Sequence, residues 1–187
     1  TRCLDLVNDS ITSIATEFNY DWLVSARINY GFICHLIDER AFDEALLEIH
    51  REQYQVSKKD ESLNIRLLLL EGICYLAKKE FTKVIELCND FLQLNKWNAD
   101  IVELLADGLA LSNSKEASRV LYNVVMDSAV LSYKTRIAQK LVYLDATQGK
   151  WDSAETRLKN ISQVEPHILS LINRGAKTRN KKPSMAR

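Results

Sequence analysis

An all-helical array of short helical hairpins is the fold class this sequence predicts, and three observations predict it. The 187 residues are 47% hydrophobic and 27% charged but include only five Gly and two Pro, which supplies a core and little turn material. Apolar residues return at steps of three and four, the helical period, rather than alternating as on a strand. Polar turn signals, "KKEF", "SNSK" and "QGKW", recur about every 35 residues, near the period of helical repeat units. A four-helix bundle would instead need continuous apolar seams along longer helices.

The elements follow in chain order. Residues 4–18 read as a helix with Leu4, Val7, Ile11, Ile14 and Phe18 on its apolar side. It is either a cap over the first hairpin or the second helix of an earlier one, and Asp21 caps the helix that follows. The first unit, about 25–60, joins "NYGFICHL" with Gly31 to "ERAFDEALLEIH" with Phe42, Ala45 and Ile49. The second, 65–98, contains "LLLLEGICYLAKKEF". Arg66 and Glu71 bracket its leucine run at a spacing far too short for a bilayer. Leu67 and Leu68 turn toward neighbouring helices, and Phe81, Val84, Ile85, Cys88 and Leu92 continue the pattern beyond the turn. Gly72 costs about 1 kcal/mol in a helix interior, so a close helix approach is expected there.

In the third unit, 99–133, Ala106 takes the place of that glycine. Ala117, Leu121 and Val124 then form the apolar side of the second helix, as if one residue were missing from the turn. The fourth, 135–168, has Gly149 in its turn, then Trp151, Ala154, Leu158 and Ile161, and ends near Pro166. Residues 167–173 read as a short capping helix, so 1–173 forms one domain. Residues 174–187 hold six basic residues and no acidic ones, against 25 of each in the whole chain, so the body is mildly acidic. That segment reads as a disordered basic tail, because no aromatic residue is interleaved to stack on bases.

The residues that could carry chemistry form no known constellation. His35, His50 and His167 share no motif with a nucleophile or carboxylate pair, and His50 precedes a polar stretch that reads as solvated. Five scattered glycines make no phosphate loop. Cys3, Cys34, Cys74 and Cys88 lack metal or redox spacing and read as free core thiols of a reducing, cytoplasmic or nuclear, compartment. No enzyme, cofactor or metal is expected. The chain starts at Thr1 without an initiator Met or a signal-like segment, and we read it as a piece of a longer protein.

From about Ser25 to Pro166 the units resemble the tetratricopeptide repeat, a 34-residue helix-turn-helix with a small residue in its first helix and an aromatic followed three later by Ala in its second. The match is best over Ile65–Asn98, through Gly72, Tyr75, Phe81 and "LQLN", and over Thr135–Pro166. Departures are Lys96 at the helix-ending proline, Val84 at the small alanine and Asp145 at the tyrosine of the first helix. The resemblance implies a right-handed α-solenoid of about four repeats between capping helices. It further implies a non-catalytic scaffold that binds a peptide or helix of a protein partner in a concave groove, within a larger assembly.

Projecting the frame from Gly31 and Gly72 puts Ile28, Phe32, Leu36, Leu69, Leu70, Ile73 and Leu76 on the apolar part of that groove. Asp100, Glu103, Leu104 and Asp107 follow as an acidic part, then Arg136, Gln139, Lys140 and Tyr143 as a basic part. Arg136, Lys140 and Tyr143 are the candidate contacts there. Apolar wall residues cost about 25 cal/mol per Å² if wet, so a partner segment or the chain's own N-terminal helix is expected to cover them. Relatives that grip a chaperone's C-terminal carboxylate place Lys and Asn where this chain has Leu69, Ile73 and Leu104, so no such clamp is expected. The alternative is an RNA- or anionic-membrane-associated adaptor using residues 174–187 with Arg136 and Lys140.

Overall fold

The computed structural model describes residues 21–55, 61–94, 97–128, 131–162 and 164–180. Side-chain surroundings are described for 30–55, 61–94, 97–127, 134–162 and 164–176. The expected helix at 4–18, the Asp21 and Ile28 side chains, Cys3 and residues 181–187 lie outside those spans. The fold is all-α. Described in chain order, the helices are α1 (Asp21–Asp38), α2 (Phe42–Gln55), α3 (Glu61–Ala77), α4 (Phe81–Leu94), α5 (Ala99–Leu111), α6 (Lys115–Ser128), α7 (Leu131–Thr147), α8 (Trp151–Leu158) and α9 (Pro166–Asn180). The chain divides into two compact units, 1–87 and 88–187, with the division inside α4.

Four turns of three residues carry the regularity. Each has a left-handed middle residue: Arg40 (φ 62°), Lys79 (φ 63°), Asn113 (φ 69°) and Gly149 (φ 73°). The amide after each bonds back to the carbonyl five residues earlier, as in Ala41 to Leu36 (2.8 Å), Glu80 to Tyr75 (2.9 Å), Ser114 to Leu109 (2.9 Å) and Lys150 to Asp145 (2.9 Å). Arg40, Lys79 and Gly149 add the inner bond to Ile37, Leu76 and Ala146, which completes the Schellman arrangement. A non-glycine residue in this conformation costs about 1–2 kcal/mol, which bonds worth about 0.5–1.5 kcal/mol each offset. The residue ending each turn also accepts the first bond of the next helix, from Ala45, Val84, Ser118 or Ala154.

Counting from the left-handed residue corrects the sequence register in two places. Seven residues before it stand Ile33, Gly72, Ala106 and Val142, all buried. The equivalent of Gly72 in the first unit is therefore Ile33 and not Gly31, whose missing Cβ would meet nothing within 4 Å. Five residues after it stand Ala45, Val84, Ser118 and Ala154, all fully buried. No residue is missing from the third turn: α6 buries Ser118, Tyr122 and Val125, whereas Ala117 and Val124 are exposed. Reading apolarity alone misplaced this face, because two of its three core residues carry hydroxyls.

In the first unit, α2 and α3 pack around Ile33, Cys34, Ala45, Ile49, Leu67 and Leu70. In the second, Val102, Ala106, Tyr122, Val125, Ile137 and Leu141 form one core of α5, α6 and α7, and Val142, Ala154, Ile168 and Ile172 another of α7, α8 and α9. Burying each such Val, Leu or Ile is worth about 1.5–3 kcal/mol relative to leaving it exposed. Asn98 caps α5, its side-chain oxygen accepting from the amides of Asp100 (3.0 Å) and Ile101 (3.2 Å). The terminal helix runs on to Asn180, where an unstructured tail was expected from 174. Gly175 explains part of this: it is buried against the Trp151 ring so closely that a Cβ would overlap it, which anchors α9 beyond residue 173.

Candidate functional site

In the first unit, the helical period splits the α3 leucines between two faces. Leu67, Leu70 and Cys74 enter the core, each 2% exposed or less. Leu69, Ile73 and Leu76, at i, i+4 and i+7, form the adjacent stripe, in which Ile73 is 40% exposed and the other two are half-buried. Leu70 was expected on that stripe and is instead core, because it falls one turn from Leu67 and Cys74. Leu68 is buried, as its expected turn toward a neighbour requires. On α1, Phe32 is 49% exposed and Leu36 packs partly against the core.

A polar cluster holds the opposite side of α3. The buried Glu71 carboxylate lies 3.1 Å from His50 Nε2 and accepts from Gln53 Nε2 at 2.8 Å, so His50 is partnered rather than merely solvated. Burial, then the charge and hydrogen bond of Glu71, push the Tyr75 hydroxyl above its usual range, and Lys83 Nζ sits 5.1 Å from that ring's centroid. Lys78, in the turn after α3, pairs with Asp43 at the start of α2. In the second unit Lys150, in the turn after α7, meets Glu116 at the start of α6 at 3.0 Å, although it stands one residue after its left-handed turn residue where Lys78 stands one before. Asp43 and Glu116 both lie three residues past a left-handed turn residue.

In the second unit the expected acidic and basic faces meet each other. Arg136 of α7 pairs with Glu103 and, at 3.6 Å, with Asp100 of α5. Lys140 Nζ lies 2.6 Å from Glu103 and donates to both Asp107 oxygens at 2.8 and 2.6 Å. Tyr122 of α6 donates to Asp107 from below, and Lys140 sits 5.8 Å from its ring centroid. Burial raises the Asp107 carboxyl above its usual range, although Lys140 and Tyr122 pull it back. Burial and then the Asp107 charge raise the Tyr122 hydroxyl. Gln139 Oε1 accepts from the Glu165 amide at 3.0 Å. Arg136 and Lys140 are thus the rungs of a ladder joining the first helices of two successive hairpins. Tyr143, 45% exposed, stands one turn beyond it.

Asp145 is the residue whose role sequence reading missed. It is fully buried and takes hydrogen bonds from Arg119 of α6, Ser153 Oγ (2.8 Å) and Arg157 Nε (3.0 Å) of α8. Burial alone would raise its carboxyl, but the Ser153 and Arg119 hydrogen bonds with the two guanidinium charges outweigh that and hold it below its usual range. The available signal was an acidic residue where the tetratricopeptide pattern it resembles has a tyrosine, with Arg119 and Arg157 on the helices either side. The arrangement is architectural: a satisfied anion that fastens three helices.

These clusters brace the helices that carry them against one another. Among the described residues no three His, Cys, Asp or Glu side chains gather as metal ligands, and no helix is long and apolar enough to cross a membrane. Cys34, Cys74 and Cys88 are buried and none of them is in a disulfide; burial, then the Asp107 charge, pushes the Cys88 thiol up to about 12. A native-state thiol assay at pH 8 is therefore expected to leave these three unmodified, with reaction appearing only in denaturant. Rapid native labelling at Cys88 would contradict the packing of α4. No family model, curated protein or solved structure matches the chain.

Proposed function

We propose that the chain is a tetratricopeptide-like, right-handed α-solenoid of about four hairpins and acts as a non-catalytic scaffold within a larger assembly. Four turns of one conformation, spaced 34 to 39 residues apart, support the repeat reading. So do two lysines in the turns after first helices, Lys78 and Lys150, each paired with an acidic residue at the start of the preceding hairpin's second helix. The observation that carries the binding reading is the α3 stripe, where an isoleucine 40% exposed lies between two half-buried leucines on a first helix.

The ligand this surface suits is a partner's peptide or helix with apolar anchors one turn apart. Leu69, Ile73 and Leu76 receive those anchors. Arg136 and Lys140, already paired, lend the partner little charge, and Tyr143 is the contact in the second unit. The chain then works in a cytoplasmic or nuclear complex. Affinity capture with the native chain and with Ile73→Asp tests this. An aspartate on an exposed helix face leaves the fold intact, and partners are expected to fall at least tenfold. An unchanged set of captured proteins would remove the stripe as the binding surface.

A further inference from the structure

Counting back from the left-handed turn residue aligns one first helix with another. Arg136 stands thirteen residues before Gly149, and Arg66 stands thirteen before Lys79. Six before the same turn residues stand Tyr143 and Ile73, and ten before them stand Gln139 and Leu69. The helix face that carries the ladder arginine on α7 is therefore the face that carries the apolar stripe on α3.

The two arginines have different surroundings. Arg136 is spent on Glu103 and Asp100, which stand ten and thirteen residues before Asn113 on the preceding first helix. On α1 the corresponding steps before Arg40 hold Tyr30 and Arg27, neither of them acidic. Within α3, the residues three and four away from Arg66 are Ser62, Leu63, Leu69 and Leu70, so no carboxylate stands one turn along the helix. Among the described residues Arg66 has no ion-pair partner, although it is half-buried. The lysines beyond the other end of the stripe are paired: Lys78 with Asp43 and Glu80, and Lys83 with Glu80. A guanidinium partly withdrawn from water without a counter-charge gains from a carboxylate brought to it.

We propose that the α3 face takes an amphipathic partner helix that carries an acidic side chain one turn beyond its apolar pair, and that Arg66 receives this carboxylate. Along the α3 axis Leu69 lies about 6 Å from Ile73, and Arg66 lies about 4.5 Å further on. A helix laid alongside presents apolar residues at i and i+4 to Ile73 and Leu69, and its Asp or Glu at i+7, or the same spacing in reverse order if it runs the other way. The proposal rests on the α3 stripe being the binding surface and adds the sign of the charge that its ligand carries.

Selection from a displayed library of helical peptides on the full chain tests it, with Ile73→Asp, Arg66→Glu and Arg66→Gln in parallel. Neither Arg66 substitution breaks an ion pair among the described residues. Peptides that bind the native chain and weaken about tenfold or more on Ile73→Asp are the ligands of the stripe. They are expected to carry Asp or Glu one turn beyond the apolar pair. Changing that residue to Lys should weaken binding to the native chain about tenfold, and Arg66→Glu should restore it. Arg66→Gln should remove the preference without reversing it. Stripe-dependent peptides with no acidic preference, or with one that neither Arg66 substitution alters, overturn the proposal and leave the stripe as a binding surface. If no selected peptide depends on Ile73, the stripe itself falls and the proposal falls with it.

Discussion

Replacing Asp145 with Ala is expected to lower stability by about 3 kcal/mol, near the lower end of the 3–5 kcal/mol typical when one partner of a buried ion pair is removed. The lower end applies because Arg119 and Arg157 retain 16% and 33% side-chain exposure, and water replaces part of what they lose. For a chain of this length about 3 kcal/mol corresponds to a fall in Tm of roughly 6–12 °C, measurable by calorimetry. The pH dependence adds a sign. A carboxyl held below its usual range contributes stability above its unfolded value, about 3.9, and that contribution disappears as pH falls through the lower folded value. Asp145→Asn should therefore flatten the loss of Tm on acidification below pH 4. A Tm unchanged by Asp145→Ala would mean that the α6–α7–α8 junction is held by its apolar core alone.

Lys140→Met is expected to cost about 2 kcal/mol at neutral pH, because Glu103 and Asp107 lose the cation they share while Arg136 still serves Glu103. Here the sign is opposite. The Asp107 carboxyl is raised by burial, so its contribution is present below the unfolded value and lost as pH rises through the folded one. The deficit of Lys140→Met should accordingly be smaller at pH 4.5 than at pH 7.5. Adding Asp107→Asn to Lys140→Met should recover stability at pH 7.5, since an amide still accepts from Tyr122 without a buried charge. A deficit independent of pH, or a double variant less stable than the single, would show that Lys140 acts by packing its stem.

The sequence carried the helices well, because the turns announce themselves. "KKEF", "SNSK" and "QGKW" surround Lys79, Asn113 and Gly149, and the buried Ala45, Val84 and Ala154 stood in plain apolar periodicity. Registration failed where the side chain gave the wrong cue. Gly31 drew the first unit two residues out of frame, yet its missing side chain is used by nothing within 4 Å. Ser118 and Tyr122 hid the buried face of α6, because a buried hydroxyl reads as surface until its partner is known. The candidate site was legible as a stripe but not in its limits: Leu69, Leu70 and Ile73 are equally apolar, and only packing separates the core Leu70 from the exposed Ile73. The charges misled for a related reason. That the acidic and basic residues consume one another depends on two helices 33 residues apart in sequence coming side by side.

If a partner sits on the α3 stripe, position-specific photo-crosslinking will find it there. A photoreactive phenylalanine analogue at Ile73 should yield discrete crosslinked partners, whereas the same group at Leu47, 62% exposed on α2, should yield none of them. Leu47 is the more exposed of the two, so accessibility alone would favour it. Partners captured equally from both positions, or from Leu47 only, would mean that the α3 stripe is not the binding surface.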